Sequence, residues 1–331
     1  MFCFAIGILA GANVGLRVDT NPHDIGMAYL EGRRKNGDNL VNPLVFGCDY
    51  FLNYGNSRRY EALEEKFREQ IDEEKKNGDV KEISLYFRDL NTECSFGVNE
   101  NDIFFPASLM KVPLMMAYLK NAEKNPAILS KKFTYTADIE TKNPFANAFP
   151  AKSTLEIGKA YTVDDMINKM IVNSDNRSYI MLLGLIDQDS FEDVLFSTGA
   201  HFAYQNGAYF VTTRSYSRLY RSLYDATFLN PEMSKRALSL LAISDFDMGI
   251  KSGTYSGTPV AHKFGINQTN GETQLHDCGI VYTGEDPYIL CVMTQSKIEA
   301  GARKALSKIS ASVNKYFESP HPSPPEPLPP Q

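Results

Sequence analysis

No long block of basic residues occurs anywhere in this 331-residue chain, and its 34 lysines and arginines are outnumbered by 40 aspartates and glutamates, a formal charge of −6. Nucleic-acid binding therefore has no electrostatic footprint. Cysteine is sparse as well: Cys3, Cys48, Cys94, Cys278 and Cys291 are far apart along the chain. No pair has metal-ligand spacing, and an odd count argues against a full disulfide framework. Unpaired or buried thiols are the expectation. Charge is missing from Met1 to Leu16. That stretch is apolar but shorter than the ~20 residues a spanning helix needs, and it lacks the positive start of a secretory signal. Two readings stay open there: a signal anchor or signal peptide over 1–18, or a buried N-terminal strand. The first implies export, with the N-terminus meeting a membrane. What is present is an ordinary globular composition, 43% apolar and 22% charged, enough for a core of normal size.

Residues 19–56 are polar, rich in glycine and asparagine, and weakly periodic, so they read as a spacer. Residues 57–318 read as one domain. Tyr60, Leu63, Phe67 and Ile71 recur at helical spacing among charges, which predicts an amphipathic helix over Arg58–Lys76. Glu82–Phe87 and Glu93–Val98 are strand-like, with Asn91 in the turn of a hairpin. A helix follows over Leu109–Lys120, with Pro113 in its opening turn. Thr162 and Asp165 form a capping box before a helix through Ile171, and Ser190 and Asp193 repeat the pattern. Thr212 or Thr213 starts a helix through Tyr224. Strands are expected over Val260–Ile266, Gln274–Tyr282 and Tyr288–Thr294, with Asp286-Pro287 as the last turn. A final amphipathic helix covers Ile298–Tyr316. The order predicts an α+β fold: an antiparallel sheet formed by both chain ends, with a helical subdomain inserted. Residues 319–331 hold seven prolines and cannot pack a core.

Ser108-Leu109-Met110-Lys111 is an S-x-x-K motif. On a helix, i and i+3 share a face, so Lys111 stands beside the Ser108 hydroxyl. A hydroxyl is a weak nucleophile until a base takes its proton, and a buried lysine near another cation can be that base. Ser108 also falls at a helix start, where the dipole favours developing negative charge. The same letters recur at Ser312–Lys315, on the terminal helix with no partner motif after it; that match is read as chance. Ser108 is followed by Ser174-Asp175-Asn176 at a junction between helices, and by Lys263-Phe264-Gly265 on a predicted strand. The ordered set S-x-x-K, S-D-N, K-T-G is a joint signature of acyl-transfer sites. Lys251-Ser252-Gly253 fits the third motif better by letters, but it lies in a loop-like run, whereas Lys263 has the strand the motif needs.

From about Glu61 to Phe317 the chain resembles the catalytic domain of class A β-lactamases, within the penicillin-recognising serine hydrolases. Phe105-Pro106-Ala107 before the nucleophile, Asn173 before Ser174, Gly257–His262 before Lys263, and His276–Val281 carry further likeness. The resemblance implies that Ser108 forms an acyl-enzyme with Lys111 as base or relay. It implies that Ser174 passes a proton to the leaving nitrogen, that Asn176 holds the substrate amide, and that Lys263 supplies positive charge. Backbone N–H groups of Ser108 and Ile266 would form the oxyanion hole; Asp175 would brace the loop. No metal or organic cofactor is implied. The substrate would be a β-lactam, another small amide, or a peptidoglycan peptide.

Two departures stand out. No Asp or Glu occurs from Val194 through Tyr224, where the family's deacylating glutamate belongs. Slow deacylation is the expectation. Phe264 and Ile266 replace hydroxyl residues that would bind a substrate carboxylate, making the site around Gly265 more apolar. His276 and Asp277 are read either as a second polar pair at the site or as a solvated sheet-edge pair. A D,D-peptidase-like cell-wall hydrolase and a non-catalytic binding module retaining the fold remain as alternatives.

Overall fold

The computed structural model describes residues 60–143, 154–269, 271–284 and 286–318. The proposed signal segment, the spacer to residue 56 and the proline-rich tail lie outside the described residues. Helix α1 (Glu61–Lys76) leads into a hairpin of β1 (Val80–Asp89) and β2 (Ser95–Val98). A 3₁₀ turn (Ala107–Met110) runs straight into α2 (Lys111–Lys124). The helical part continues with β3 (Lys132–Thr134), α3 (Ala137–Thr141), β4 (Ala160–Thr162), α4 (Val163–Val172), α5 (Asn176–Leu185) and α6 (Gln188–Ser197). A small hairpin, β5 (Ala203–Gln205) and β6 (Ala208–Phe210), precedes α7 (Thr213–Tyr224) and α8 (Pro231–Ala242). The chain closes with β7 (Val260–Thr269), β8 (Glu272–Thr283), β9 (Asp286–Ser296) and α9 (Glu299–Glu318).

The main sheet runs β2-β1-β9-β8-β7 and is antiparallel throughout, so both chain ends build it, as expected. Its central strands are buried in nearly unbroken runs rather than alternating, because helices cover both faces. On one face α1 and α9 pack Leu63, Phe67, Ile71, Leu306 and Ile309 against Ile83, Phe87 and Leu290. On the other, α2, α4, α7 and α8 bury Met115, Ile167, Tyr216 and Leu238 against Ile280 and Ile289. Each fully buried side chain of this kind contributes about 1.5–3 kcal/mol.

Local signals are honoured where side chains can satisfy orphan N–H groups. Thr162 and Asp165 form the reciprocal capping box on α4, and Thr212 caps α7. The start predicted at Ser190 is displaced: Asp187 is the cap and accepts from the Ser190 N–H, so Ser190 lies inside α6. Asp286-Pro287 is likewise not the turn but the opening of β9, where Pro287 pairs with Tyr282; Gly284, at φ 54°, takes the left-handed position nearby.

The expectation of unpaired thiols is corrected. Cys278 and Cys291 face each other across β8 and β9 and form a disulfide, with Cα atoms 4.1 Å apart. Cys94 is disulfide-bonded too. The Cys278–Cys291 bridge closes a loop with a sequence separation of 13. A closed loop of that size confines the unfolded chain by about 3 kcal/mol. The Cys278→Ala/Cys291→Ala double variant is therefore expected to lose about that much unfolding free energy and to unfold at lower urea than the oxidised protein; an unchanged midpoint would deny the bridge any role in stability.

Candidate active site

Ser108 lies in the 3₁₀ turn ahead of α2, and Lys111 is the first residue of that helix. One turn of chain thus brings the Lys111 Nζ within 2.9 Å of the Ser108 Oγ. Tyr216 reaches up from α7 and donates to the Leu109 carbonyl at 2.9 Å, pinning the turn from below. The junction between α4 and α5 brings in the second motif. Ser174 sits there at φ 56°, a left-handed conformation that non-glycine residues seldom adopt. Asp175 caps α5, accepting from the Arg177 and Ser178 N–H groups and from the Thr154 hydroxyl. That brace fixes the backbone on which Ser174 is held.

The Lys111 Nζ meets four oxygens. It lies 2.7 Å from both the Ser174 carbonyl and the Asn176 Oδ1, 2.9 Å from the Ser108 Oγ and 3.1 Å from the Ser174 Oγ. The two nearest can only accept. A neutral amine has two N–H donors and one lone pair, so donating to those two leaves the lone pair for the hydroxyl proton of Ser108. Burial holds the amine well below its usual range; the nearby Lys263 cation pushes it further, against the opposing charge of Asp175.

Lys263 arrives from β7, which is the edge strand of the sheet beside this turn. Its Nζ lies 2.9 Å from the Ser174 Oγ. Burial lowers the Lys263 amine to about 7, even though Asp277 and Asp245 pull upward. Ser174 therefore bridges two buried amines. Lys111, Ser174 and Lys263 are 1%, 2% and 0% exposed, whereas Ser108 and Asn176 are partly open and form the reachable surface. Gly265 allows the close fit. A Cβ there would lie 2.6 Å from the Pro106 carbonyl oxygen, inside the serine's own turn. The edge strand thus lies directly against the Ser108 turn, with Ile266 as the next residue.

Residues 62–317 match the sequence model of the beta-lactamase enzyme family. The chain belongs to that family. Among solved structures, a point variant of PBP-A in an acyl-enzyme complex with penicillin G is 20% identical, with a TM-score of 0.64 over 76% of this chain and 95% of that one. A beta-lactamase from Chitinophaga pinensis is 17% identical, TM-score 0.66, over 76% and 98%. A class A beta-lactamase from Mycobacterium abscessus is 16% identical, TM-score 0.64, over 76% and 99%. At such identities the likeness is one of fold. No curated protein sequence matches the chain.

Within this beta-lactamase-family fold, other candidates fall elsewhere. The Phe264 ring is buried, stacked on Phe246 with centroids 3.9 Å apart, and its centroid lies 4.1 Å from the Lys263 Nζ. Lys251 lies in a 3₁₀ turn (Ile250–Gly253), not on a strand. Ser312 hydrogen-bonds Gln70 on α1, a packing role. His276 and Asp277 form neither a site pair nor a solvated edge; they leave β8 on opposite faces and both are fully buried. The His276 Nδ1 accepts from the Thr294 N–H, so its Nε2 donates to the Phe105 carbonyl. That neutral tautomer is kept by burial, which lowers the ring to about 4. Asp277 accepts from the Ile250 N–H and pairs with buried His262. Motif reading missed Tyr179, whose ring centroid lies 5.9 Å from the Lys111 Nζ. Its helical spacing from Asn176, three residues on, was the available signal. Among the described residues no helix is long and apolar enough to cross a membrane.

Proposed function

We propose that this protein is a serine hydrolase that acts through a Ser108 acyl-enzyme on β-lactams or related amides and releases the acyl group slowly. The observation that carries this reading is the 2.9 Å approach of a buried, depressed-pKa Lys111 amine to the Ser108 hydroxyl. Neutral Lys111 takes the Ser108 proton as the oxygen attacks the carbonyl. Negative charge then develops between the backbone N–H groups of Ser108 and Ile266. As the C–N bond breaks, Ser174 gives its proton to the departing nitrogen. Lys263, 2.9 Å away, supports and replenishes it. Asn176 holds the amide of the bound substrate.

Slow release rests on the chain between α6 and α7. It holds no carboxylate to activate water; it is the β5–β6 hairpin with its flanks. The same absence, together with Phe264 and Ile266 in place of hydroxyl residues, favours a second reading: a D,D-peptidase-like enzyme whose substrate is a peptidoglycan peptide. An exported location, secreted or membrane-anchored, is supported by the Cys278–Cys291 disulfide, since such bonds persist in oxidising compartments.

Intact-mass spectrometry after mixing with penicillin G tests the proposal. A persistent adduct on Ser108, absent from Ser108→Ala, is expected. Sustained turnover of a chromogenic cephalosporin would refute slow release. No adduct from β-lactams, but one from muropeptides, would move the assignment to the peptidase.

A further inference from the structure

We infer that a second site, separate from Ser108, binds a phosphoryl group in a cleft between α7 and β1. Arg214, Arg218 and Arg221 recur at intervals of four and three along α7, so they share one helix face. Arg88 of β1 joins them, and the four arginines together with Tyr86 line a cavity of about 390 Å³. None of the residues around Ser108 contributes to it.

Four permanent cations do not converge on a chain of net negative charge without something holding them. Here that element is Glu93. Its carboxylate is fully buried and takes Arg88 at 2.8 Å and Arg221 at 3.1 Å. Glu93 adopts φ 62°, a conformation disfavoured for a side chain of this kind. A buried charge on a left-handed backbone is costly. Its effect is to fix two guanidinium forks that would otherwise repel. Arg88 is further held through its Nε and Nη2 by the Tyr86 hydroxyl.

The charges do not cancel. Arg221 also meets Asp225 at 3.4 Å, and Arg214 pairs with Glu100 at 2.9 Å. Arg218 donates to the Gly199 carbonyl at 2.7 Å, and no carboxylate among the described residues pairs with it. Four guanidiniums thus stand against three carboxylates, and Arg218 is exposed. Guanidinium forks match the oxygens of a phosphoryl group in pairs, and more than one fork suits a dianion better than a single carboxylate. The hydroxyls of Thr198 and Thr227 add polar lining. The cavity exceeds the volume of a lone phosphate, leaving space for the substituent of a small phosphate ester.

Titration calorimetry on the full chain, at fixed ionic strength, separates the possibilities. Inorganic phosphate and glycerol 3-phosphate are the probes, with acetate as the control anion. One saturable site is expected for at least one phosphoryl probe, weakened about tenfold by Arg218→Gln because a charge-assisted bond is lost. Arg218→Lys keeps the charge but not the fork and should fall between. Both variants change an exposed side chain, so thermal melting and Ser108 labelling by penicillin should match wild type. Comparable affinity for the two probes would identify free phosphate as the ligand; tighter ester binding would identify an ester. The inference is overturned if neither probe binds at about 10 mM, a concentration that would reveal even millimolar affinity. It is equally overturned if binding is indifferent to Arg218→Gln or acetate competes equally; the arginines would then only tie α7 to β1.

Discussion

Replacing Lys111 with arginine should abolish acylation of Ser108 as completely as replacing it with methionine. Expected losses are on the order of 10³–10⁴ in the second-order rate of labelling by a fluorescent penicillin, the upper range for removing a positioned general base. The pair of variants separates two roles. If Lys111 served only as a cation donating to the Asn176 Oδ1 and the Ser174 carbonyl, each at 2.7 Å, arginine would retain much of the rate. Arginine does not lose its proton at any working pH, so it cannot accept one from Ser108. The wild-type pH profile follows with a definite sign. Burial and the Lys263 cation hold Lys111 well below the usual lysine range. The base form therefore appears as pH rises through that depressed value. Labelling should climb on the acid side and level off well before the pH at which an ordinary lysine ionises. A rate that instead rose only near the ordinary lysine pKa, or an active Lys111→Arg, would remove Lys111 from the role of base.

The parts of this site legible in the sequence are those where chemistry dictates local spacing. Ser108 and Lys111 are three apart because one helical turn must carry both. Ser174 and Asn176 flank Asp175 because that residue caps α5 and fixes the junction. Choosing Lys263 over Lys251 rested on secondary structure, since the amine has to come from an edge strand. What stayed illegible depends on register and on face. Cys278 and Cys291 meet only because β8 and β9 pair in one particular register. His276 and Asp277 are neighbours in sequence, and that adjacency is what sends them to opposite faces of β8. Phe264 is a substrate-contact candidate from its place in the motif; that its ring is stacked on Phe246, outside any motif, and lies 4.1 Å from the Lys263 Nζ is not readable from the motif. Asn230 before Pro231 is a start signal for α8 that hydrophobic periodicity does not pick out. The four guanidiniums of the cleft between α7 and β1 come from a strand and a helix 126 residues apart at their nearest, Arg88 to Arg214. No local pattern joins them.

Gly265→Ala should slow the proposed acylation of Ser108 sharply, at a position that carries no side chain. The added Cβ would stand 2.6 Å from the Pro106 carbonyl oxygen and 3.1 Å from the Leu109 Cγ. Leu109 can adjust its rotamer; Pro106 cannot, because its carbonyl accepts the Leu109 N–H at 3.0 Å and so closes the turn that presents Ser108. Either β7 retreats or the serine turn opens. Both outcomes separate the Ile266 N–H from the oxygen it is proposed to stabilise, and retreat also draws Lys263 away from the Ser174 Oγ. A displacement of about 1 Å in such a constellation can cost on the order of 10² in rate. Overpacking costs about 1–3 kcal/mol of stability, so the variant should still fold. The measurement is the penicillin-labelling rate set beside the urea midpoint. A folded Gly265→Ala protein that labels at the wild-type rate would mean that strand and serine turn need not touch. The tight approach of β7 would then have no part in catalysis, and the oxyanion would have to be held by other donors.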